Sequence, residues 1–322
     1  MMVYIGVDLG GTNIKAGVVD DEGRIIRQAS IPTGHPRGEK AICDDIVALS
    51  KRLLEESGFS LNQVAAIGIG SPGTMNPDTG TVIYGNNLDW KDVPLKQYVS
   101  EGFGENSPPV YIENDANVAA FGELYAGSAK GAESAVVLTI GTGLGSGSII
   151  NSKIINGHFH GGGEFGHMVV ERGGKPCTCG RRGCVEAYAS ATGLIGLTRD
   201  EMERSPDSLM HKLAKERGKV TGKTSFDAMK QGDEAGARVV DLFIDYLACF
   251  IANIINALQP EVISIGGGVS NEGDTLLIPL REKVSREVYG GPELPSTEIR
   301  ICTLGNDAGI VGAAMMGKSY SE

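Results

Sequence analysis

The sequence predicts an α/β protein built from two copies of one plan, arranged as two α/β domains around a cleft. Three observations carry this reading. First, a hairpin pattern occurs twice: VYIGVDLGGTNIKAGVV over residues 3–19 turns at Asp8 to Asn13, and AVVLTIGTGLGSGSII over residues 135–150 turns at Gly141 to Gly147. Second, later in each half a short apolar run enters a Gly-rich loop, VAAIGIGSPG at 64–73 and EVISIGGGVS at 261–270. Each follows a helical periodicity, Ile42 to Ser57 and Ala235 to Leu258. Third, a length of 322 residues exceeds the size at which one hydrophobic core stops growing. The first hairpins of the two halves start about 130 residues apart, the signature of an internal repeat.

Between the copies, ENDANVAAFGELYAGSAKG places a helix start at Asn114 or Asp115. The expected boundary lies near residue 116. The smaller domain is 1–116, closed by a C-terminal helix at 305–322, and the larger is 117–304. Residues 199–238, charged and interrupted by Pro206 and several glycines, read as short exposed helices on the second half. DAGIVGAAMMGK reads as a helix with Asp307 as its N-cap, packing back against the first half. Glycine, 47 of 322 residues, is about twice its average usage and implies many tight turns.

A formal net charge of −11 lacks the electrostatic footprint of a nucleic-acid or membrane-surface binder. The longest apolar stretch, around Tyr246 to Ala252, falls short of the roughly 18 residues of a membrane span, so no transmembrane helix is expected. MMVYIGVDLGG has no basic leader, which points to the cytoplasm. Two motif matches are set aside. GAAMMGKS at 312–319 fits the P-loop expression, but the residues before it are helical rather than a strand. GIGSPG at 68–73 fits the dinucleotide expression, but Pro77 and Gly80 prevent a crossover helix after it.

Four groups of residues carry chemistry. In DLGGT, Gly10 and Gly11 let backbone N–H groups approach an anion, Thr12 and Asn13 add donors, Lys15 adds a cation, and Asp8 is placed to hold a metal ion through water. In TIGTGLGSG, Gly141, Gly143 and Gly145 alternate with Thr142 to make a comparable nest, so the paired turns suggest a phosphate clamp. Cys177, Cys179 and Cys184 crowd into eight residues with His167 upstream, the donor set of a closed, structural zinc shell. His158 and His160 compete with His167 as fourth ligand. Cys43, Cys249 and Cys302 are scattered and read as buried thiols. Lastly, Asp115, Glu164 and Glu186 offer the several acceptors that a sugar site needs, with one base beside the reacting hydroxyl. A single carboxylate at a helix start is also an ordinary cap.

Together VDLGGTN, ENDANVAAFGE, TIGTGLGSG, GEFGH and CTCGRRGCVE resemble the ROK family of sugar kinases, in order from residue 7 to about 190, and GGGVS at 266–270 extends the likeness. Within the family the chain is most similar to bacterial ATP-dependent glucokinases. The resemblance implies a duplicated actin-like ATPase (ribonuclease H-like) fold and ATP-dependent phosphorylation of a hexose, glucose to glucose 6-phosphate, with a sugar in the cleft. It implies Asp115 as general base, with Gly73, Asn87, Asn114, Glu164, His167 and Glu186 at sugar-binding positions. ATP and Mg²⁺ fall to Asp8, Gly10, Gly11, Thr12, Asn13, Lys15, Thr139, Gly141, Thr142, Gly143, Gly267 and Gly268. It favours His167 as the zinc ligand beside Cys177, Cys179 and Cys184, and a homodimer or homotetramer is expected.

YGNNLDW and SPGTMNPDTG follow the glucokinase pattern loosely, so N-acetylmannosamine, fructose and allose kinases remain the alternatives. The family's repressors form a more distant one. They carry a helix-turn-helix before the DLGGT turn, whereas six residues precede Val7 here.

Overall fold

A computed structural model describes residues 1–321. Contacts divide the chain into two compact units, residues 1–137, 147–163 and from 302 onward in one, and 138–146 with 164–301 in the other. This division leaves 117–137 and 147–163 with the first unit, whereas the sequence boundary near 116 placed them in the second.

The chain opens with strands β1 (Val3–Leu9), β2 (Asn13–Val19) and β3 (Ile25–Pro32), then helix α1 (Glu39–Glu56). Strands β4 (Val64–Ser71), β5 (Thr74–Asn76), β6 (Thr81–Gly85) and β7 (Trp90–Val93) lead to α2 (Leu95–Phe103), β8 (Val110–Asn114) and α3 (Asp115–Ala126). Next come β9 (Ala135–Ile140), β10 (Leu144–Ile150), β11 (Lys153–Ile154), and helices α4 (Glu186–Ala189), α5 (Ala191–Arg204), α6 (Leu209–Glu216), α7 (Thr224–Lys230) and α8 (Glu234–Leu258). The last elements are β12 (Val262–Gly266), α9 (Asp274–Glu287), β13 (Glu298–Ile301) and α10 (Ala308–Ser321).

The duplication is legible in strand order. One five-stranded sheet runs β3-β2-β1-β4-β8 and the other β11-β10-β9-β12-β13, the same sequence of roles, beside a small antiparallel sheet β5-β6-β7. In the first sheet β1, β2 and β3 pair antiparallel, while β4 and β8 join parallel. Helix α1 buries Ile42, Ile46, Leu49 and Leu53, a 3.6-residue stripe, against this sheet.

Helix α10 is the keystone of the first unit, packing on β1, β4 and α3. Gly6 of β1 and Gly68 of β4 are register partners, and α10 lies across them. A Cβ on Gly6 would collide with the Ile310 carbonyl, and one on Gly68 with the Ala313 carbonyl. On its other side, Gly312 meets the Val118 carbonyl, and a Cβ on Gly122 would stand 2.5 Å from the Ala308 oxygen. Glycine therefore serves close backbone approach here as well as turns, a use the composition alone had not suggested. Asp307 stands just before α10 as the last residue of a 3-10 turn, and the string GAAMMGKS lies inside the helix, with Gly312 to Gly317 buried.

In the second unit one helix agrees with the sequence periodicity and one expectation is corrected. Helix α8 spans 25 residues with a mean hydropathy of 1.7 in its most apolar window, long and apolar enough to cross a membrane. The helical periodicity read from the sequence, Ala235 to Leu258, covers nearly the same span. In the fold α8 is a core helix packed against α5, α7 and α9, burying Phe243, Leu247, Phe250 and Ile254. Its charges are paired at the surface: Arg238 with Glu201 at 2.6 Å, and Asp241 with Lys283 at 2.6 Å. Nor are the short helices all exposed, because α7 buries Thr224, Ser225, Phe226 and Ala228 against α8.

Gly312→Ala should destabilise the protein by about 2–4 kcal/mol, because backbone on both sides of the added methyl must move. Gly145→Ala, where a Cβ meets nothing within 4 Å, is the control. Urea midpoints of the two variants against the parent provide the measurement.

Candidate active site

In the first unit the β1–β2 turn is closed by Gly10 N–H donating to the Asn13 carbonyl at 2.9 Å. Buried Thr33 holds it from one side: its N–H donates to Thr12 O at 2.9 Å and its hydroxyl to Gly10 O at 2.6 Å. Across the ladder Asp8 faces Lys15, and Lys15 Nζ donates to Asp8 Oδ2 at 3.2 Å. The carboxylate and cation expected to serve phosphate and metal therefore hold each other. Gly11 lies beside Asn87, with a Cβ on it 3.0 Å from the Asn87 carbonyl oxygen. Gly309 of α10 abuts Asp8, so the helix seat also backs this turn.

The β8–α3 junction gathers Asn114, Asp115 and Gly73. Asn114 Oδ1 accepts the Ala116 and Asn117 N–H groups at 2.9 and 3.3 Å, capping α3, while its Nδ2 donates to the Gly73 carbonyl at 3.0 Å. Gly73 sits at φ +105°, where any Cβ would strike the Tyr84 carbonyl, so only glycine fits. Asp115 is the first residue of α3, with Oδ1 accepting the Ala116 N–H at 2.9 Å. The cap and the candidate base are thus two adjacent residues rather than two readings of one.

Sequence reasoning missed the residue just before them. Glu113 is buried, and its carboxyl accepts Asn114 N–H at 2.8 Å, Asn117 Nδ2 at 3.1 Å and Asn156 Nδ2 at 3.2 Å. Burial pushes its pKa above the ordinary Glu range, against these three hydrogen bonds and the nearby His160. Glu123 was missed as well. Buried two turns further along α3, it accepts from Ser128 N–H and Oγ at 2.7 and 2.8 Å, Thr303 N–H at 3.0 Å and Leu304 N–H at 2.9 Å. An acid inside the apolar run VAAFGELYA was the available signal for it.

In the second unit the other turn is laced to the start of α5. Gly141 N–H donates to Gly143 O at 3.0 Å, Ala191 N–H to Gly141 O at 2.9 Å, and Thr192 Oγ1 to Thr142 O at 2.7 Å. Gly267, at φ +85°, presses on Ile140, where a Cβ would strike the carbonyl. Its loop, with Gly268 opening a 3-10 turn, is thereby set beside the residue that precedes Gly141. Thr139 is exposed on β9, and Glu164 is exposed before the 3-10 turn Phe165–His167.

His167, Cys177, Cys179 and Cys184 bring one ligand atom each within 4.8 Å of one another, and His158 and His160 are not part of this group. Cys179 and Cys184 sulfurs are 3.7 Å apart, and Cys177 Sγ is 3.6 Å from His167 Nδ1. Tetrahedral zinc, with Zn–S about 2.3 Å and Zn–N about 2.0–2.1 Å, requires separations of about 3.8 and 3.5 Å for such pairs. The donor set therefore fits zinc. Burial and the neighbouring sulfurs push Cys184 up to about 12, so a cation is what would hold three thiolates together. Glu186 lies beside this loop: Oε2 accepts Leu144 N–H at 2.9 Å, while Oε1 accepts Thr178 Oγ1 at 3.2 Å and the Cys177 thiol at 3.6 Å.

The ROK family model matches residues 4–319. The chain belongs to the ROK family. It is 41% identical to a glucokinase of Halalkalibacterium halodurans, over 99% of this chain and 96% of that one. A glucokinase of Thermotoga maritima is 38% identical, over 98% and 96% of the two chains. The crystal structure of a ROK family glucokinase from Streptomyces griseus in complex with glucose and AMPPNP matches with a TM-score of 0.76 and 36% identity, covering 98% of this chain and 99% of that one. The ROK fold is the duplicated actin-like ATPase fold, in agreement with the repeated strand order.

The raised pKa of Glu113 in this ROK chain has a thermodynamic signature. A carboxyl that holds its proton more tightly folded than unfolded adds stability below the ordinary Glu range, and that addition is lost as pH rises through its folded pKa. Glu113→Gln removes this dependence. Its unfolding free energy relative to the parent should therefore improve as pH rises from below the ordinary Glu range to pH 8, and a difference that stays flat over that whole span would refute the assignment.

Proposed function

We propose that this chain transfers the γ-phosphoryl group of ATP to the 6-hydroxyl of glucose. The observation that carries the reading is near-full-length identity of 41% with a glucokinase, together with a similar structure in complex with glucose and an ATP analogue. ATP is assigned to the two Gly-rich turns: Asp8, Gly10, Gly11, Thr12, Asn13 and Lys15 in the first unit, and Thr139, Gly141, Thr142, Gly143, Gly267 and Gly268 in the second. When bound, Mg²⁺ neutralises phosphate charge, and Asp8 is the carboxylate suited to hold it through water, as such ions prefer.

Gly73, Asn87, Asn114, Glu164, His167 and Glu186 are assigned to sugar hydroxyls. His167 can serve both sites, because an imidazole whose Nδ1 faces the sulfurs keeps Nε2 for a second partner. Asp115 takes the proton of the attacking hydroxyl as the new O–P bond forms and the bond to the β-phosphate oxygen breaks, releasing ADP. Its place as the first residue of α3, directly after the capping Asn114, supports this role. Zinc is assigned to His167, Cys177, Cys179 and Cys184 as a structural ion, since four protein donors leave no open position.

Asp115→Asn should lower kcat by about 10² to 10⁴ with little change in glucose affinity, read by coupled ADP release and by calorimetry. Near-normal kcat in the folded variant would reduce Asp115 to a helix residue. Across a hexose panel, glucose should show the highest kcat/KM, by roughly tenfold, because an epimer leaves a buried acceptor unpaired at about 1–3 kcal/mol. N-acetylmannosamine or fructose ahead of glucose would transfer the assignment to that sugar. Protein purified without chelator should carry one zinc per chain, and Cys179→Ser should lose it. Metal analysis finding none in the parent would remove zinc from the account.

A further inference from the structure

Glu186 is held at both oxygens by two different parts of the second unit. Oε2 accepts the Leu144 N–H at 2.9 Å and seats so closely on the turn that a Cβ on Gly143 would lie 2.5 Å from it. Oε1 faces the cysteine loop, where Thr178 Oγ1 donates at 3.2 Å and the Cys177 thiol at 3.6 Å. As a metal-bound thiolate Cys177 has no proton to give, which leaves the Thr178 hydroxyl as the side-chain donor to that oxygen among the described residues. Thr178 is itself flanked on both sides by metal-binding cysteines, so a bound ion fixes its backbone at two adjacent points.

We infer that Thr178 is a positioning residue for the nucleotide turn. Its hydroxyl, presented by the metal loop, orients the Glu186 carboxylate, and that carboxylate fixes Leu144 N–H and with it the Gly141–Gly143 segment. The metal loop then acts on ATP binding as well as on the sugar side. This rests on the reading of the turn as an ATP site and of the cluster as a zinc site, and the test separates the layers.

Thr178→Val removes the donor at nearly constant shape, and Thr178→Ser restores it. In zinc-loaded protein, Thr178→Val should speed hydrogen exchange at the Leu144 amide and raise the dissociation constant of AMPPNP, measured without sugar, each by about fivefold. That is the size expected for losing one hydrogen bond to a charged group that is partly open to solvent. Zinc should remain at one per chain, Thr178→Ser should return both values to the parent's, and in a Glu186→Gln background Thr178→Val should add nothing further.

Unchanged exchange at Leu144 in the zinc-loaded valine variant overturns the inference. So does loss of zinc from that variant, since the hydroxyl would then be serving the metal loop itself. A parent that fails to bind AMPPNP would instead overturn the ATP assignment, and exchange at Leu144 would still decide the link.

Discussion

Backbone-to-backbone contact between α10 and its surroundings is the constraint on which the first unit depends. Side chains normally hold packed elements apart, and here glycines let the backbone of α10 approach the backbones of β1, β4 and α3 directly. The contacts made possible in this way reach both halves of the candidate chemistry in that unit. Through Gly309 the helix backs Asp8 at the end of β1, and through Gly312 and Gly122 it fixes α3, whose first residue is Asp115. A single helix thereby sets the β1–β2 turn and the candidate base to one frame, and neither could shift by an ångström without disturbing main-chain packing.

Three carboxylates show a second recurring device. Glu113, Glu123 and Glu186 each accept backbone N–H groups, from the last residue of β8, from Thr303 and Leu304, and from the first residue of β10 respectively. A carboxylate offers about four acceptor sites in one plane, so it can organise several loops at once. The cost is desolvation, visible in the raised pKa of Glu113. Glu123 shows no free valence for chemistry, since Ser128, Thr303 and Leu304 engage it from two directions.

What the sequence made legible was local. The glycine turns, the cysteine spacing, the cap at Asn114 and the repeated strand–loop units are all written within a few residues, and the structure brings His167 and the three cysteines together. What it concealed was long-range. Glu123 meets Thr303 from 180 residues away, and nothing in VAAFGELYA names that partner. Glycines such as Gly68 read as turn residues because the pattern of a strand does not disclose what lies on its face. Nor does the periodicity of α8 name the partner of Asp241 and Asp245, because Lys283 belongs to another helix. The pairing of Asp8 with Lys15 was open to a reader who folded the hairpin in register, since the two stand opposite each other.

The seat of α10 also dictates when the first unit can exist during synthesis. Lys318 donates to the Asp21 carbonyl across 297 residues, and Tyr111 reaches the Tyr320 carbonyl across 209. Until that distant segment leaves the ribosome, the face of β1 and β4 lined by Gly6 and Gly68 has no cover, and the whole second unit is translated in the interval. At roughly 5–20 residues per second this leaves an uncovered sheet face for on the order of ten seconds or more. Nascent chains of this protein must therefore spend that time with an unfinished first unit, in which chaperone capture and self-association compete with the arrival of one helix.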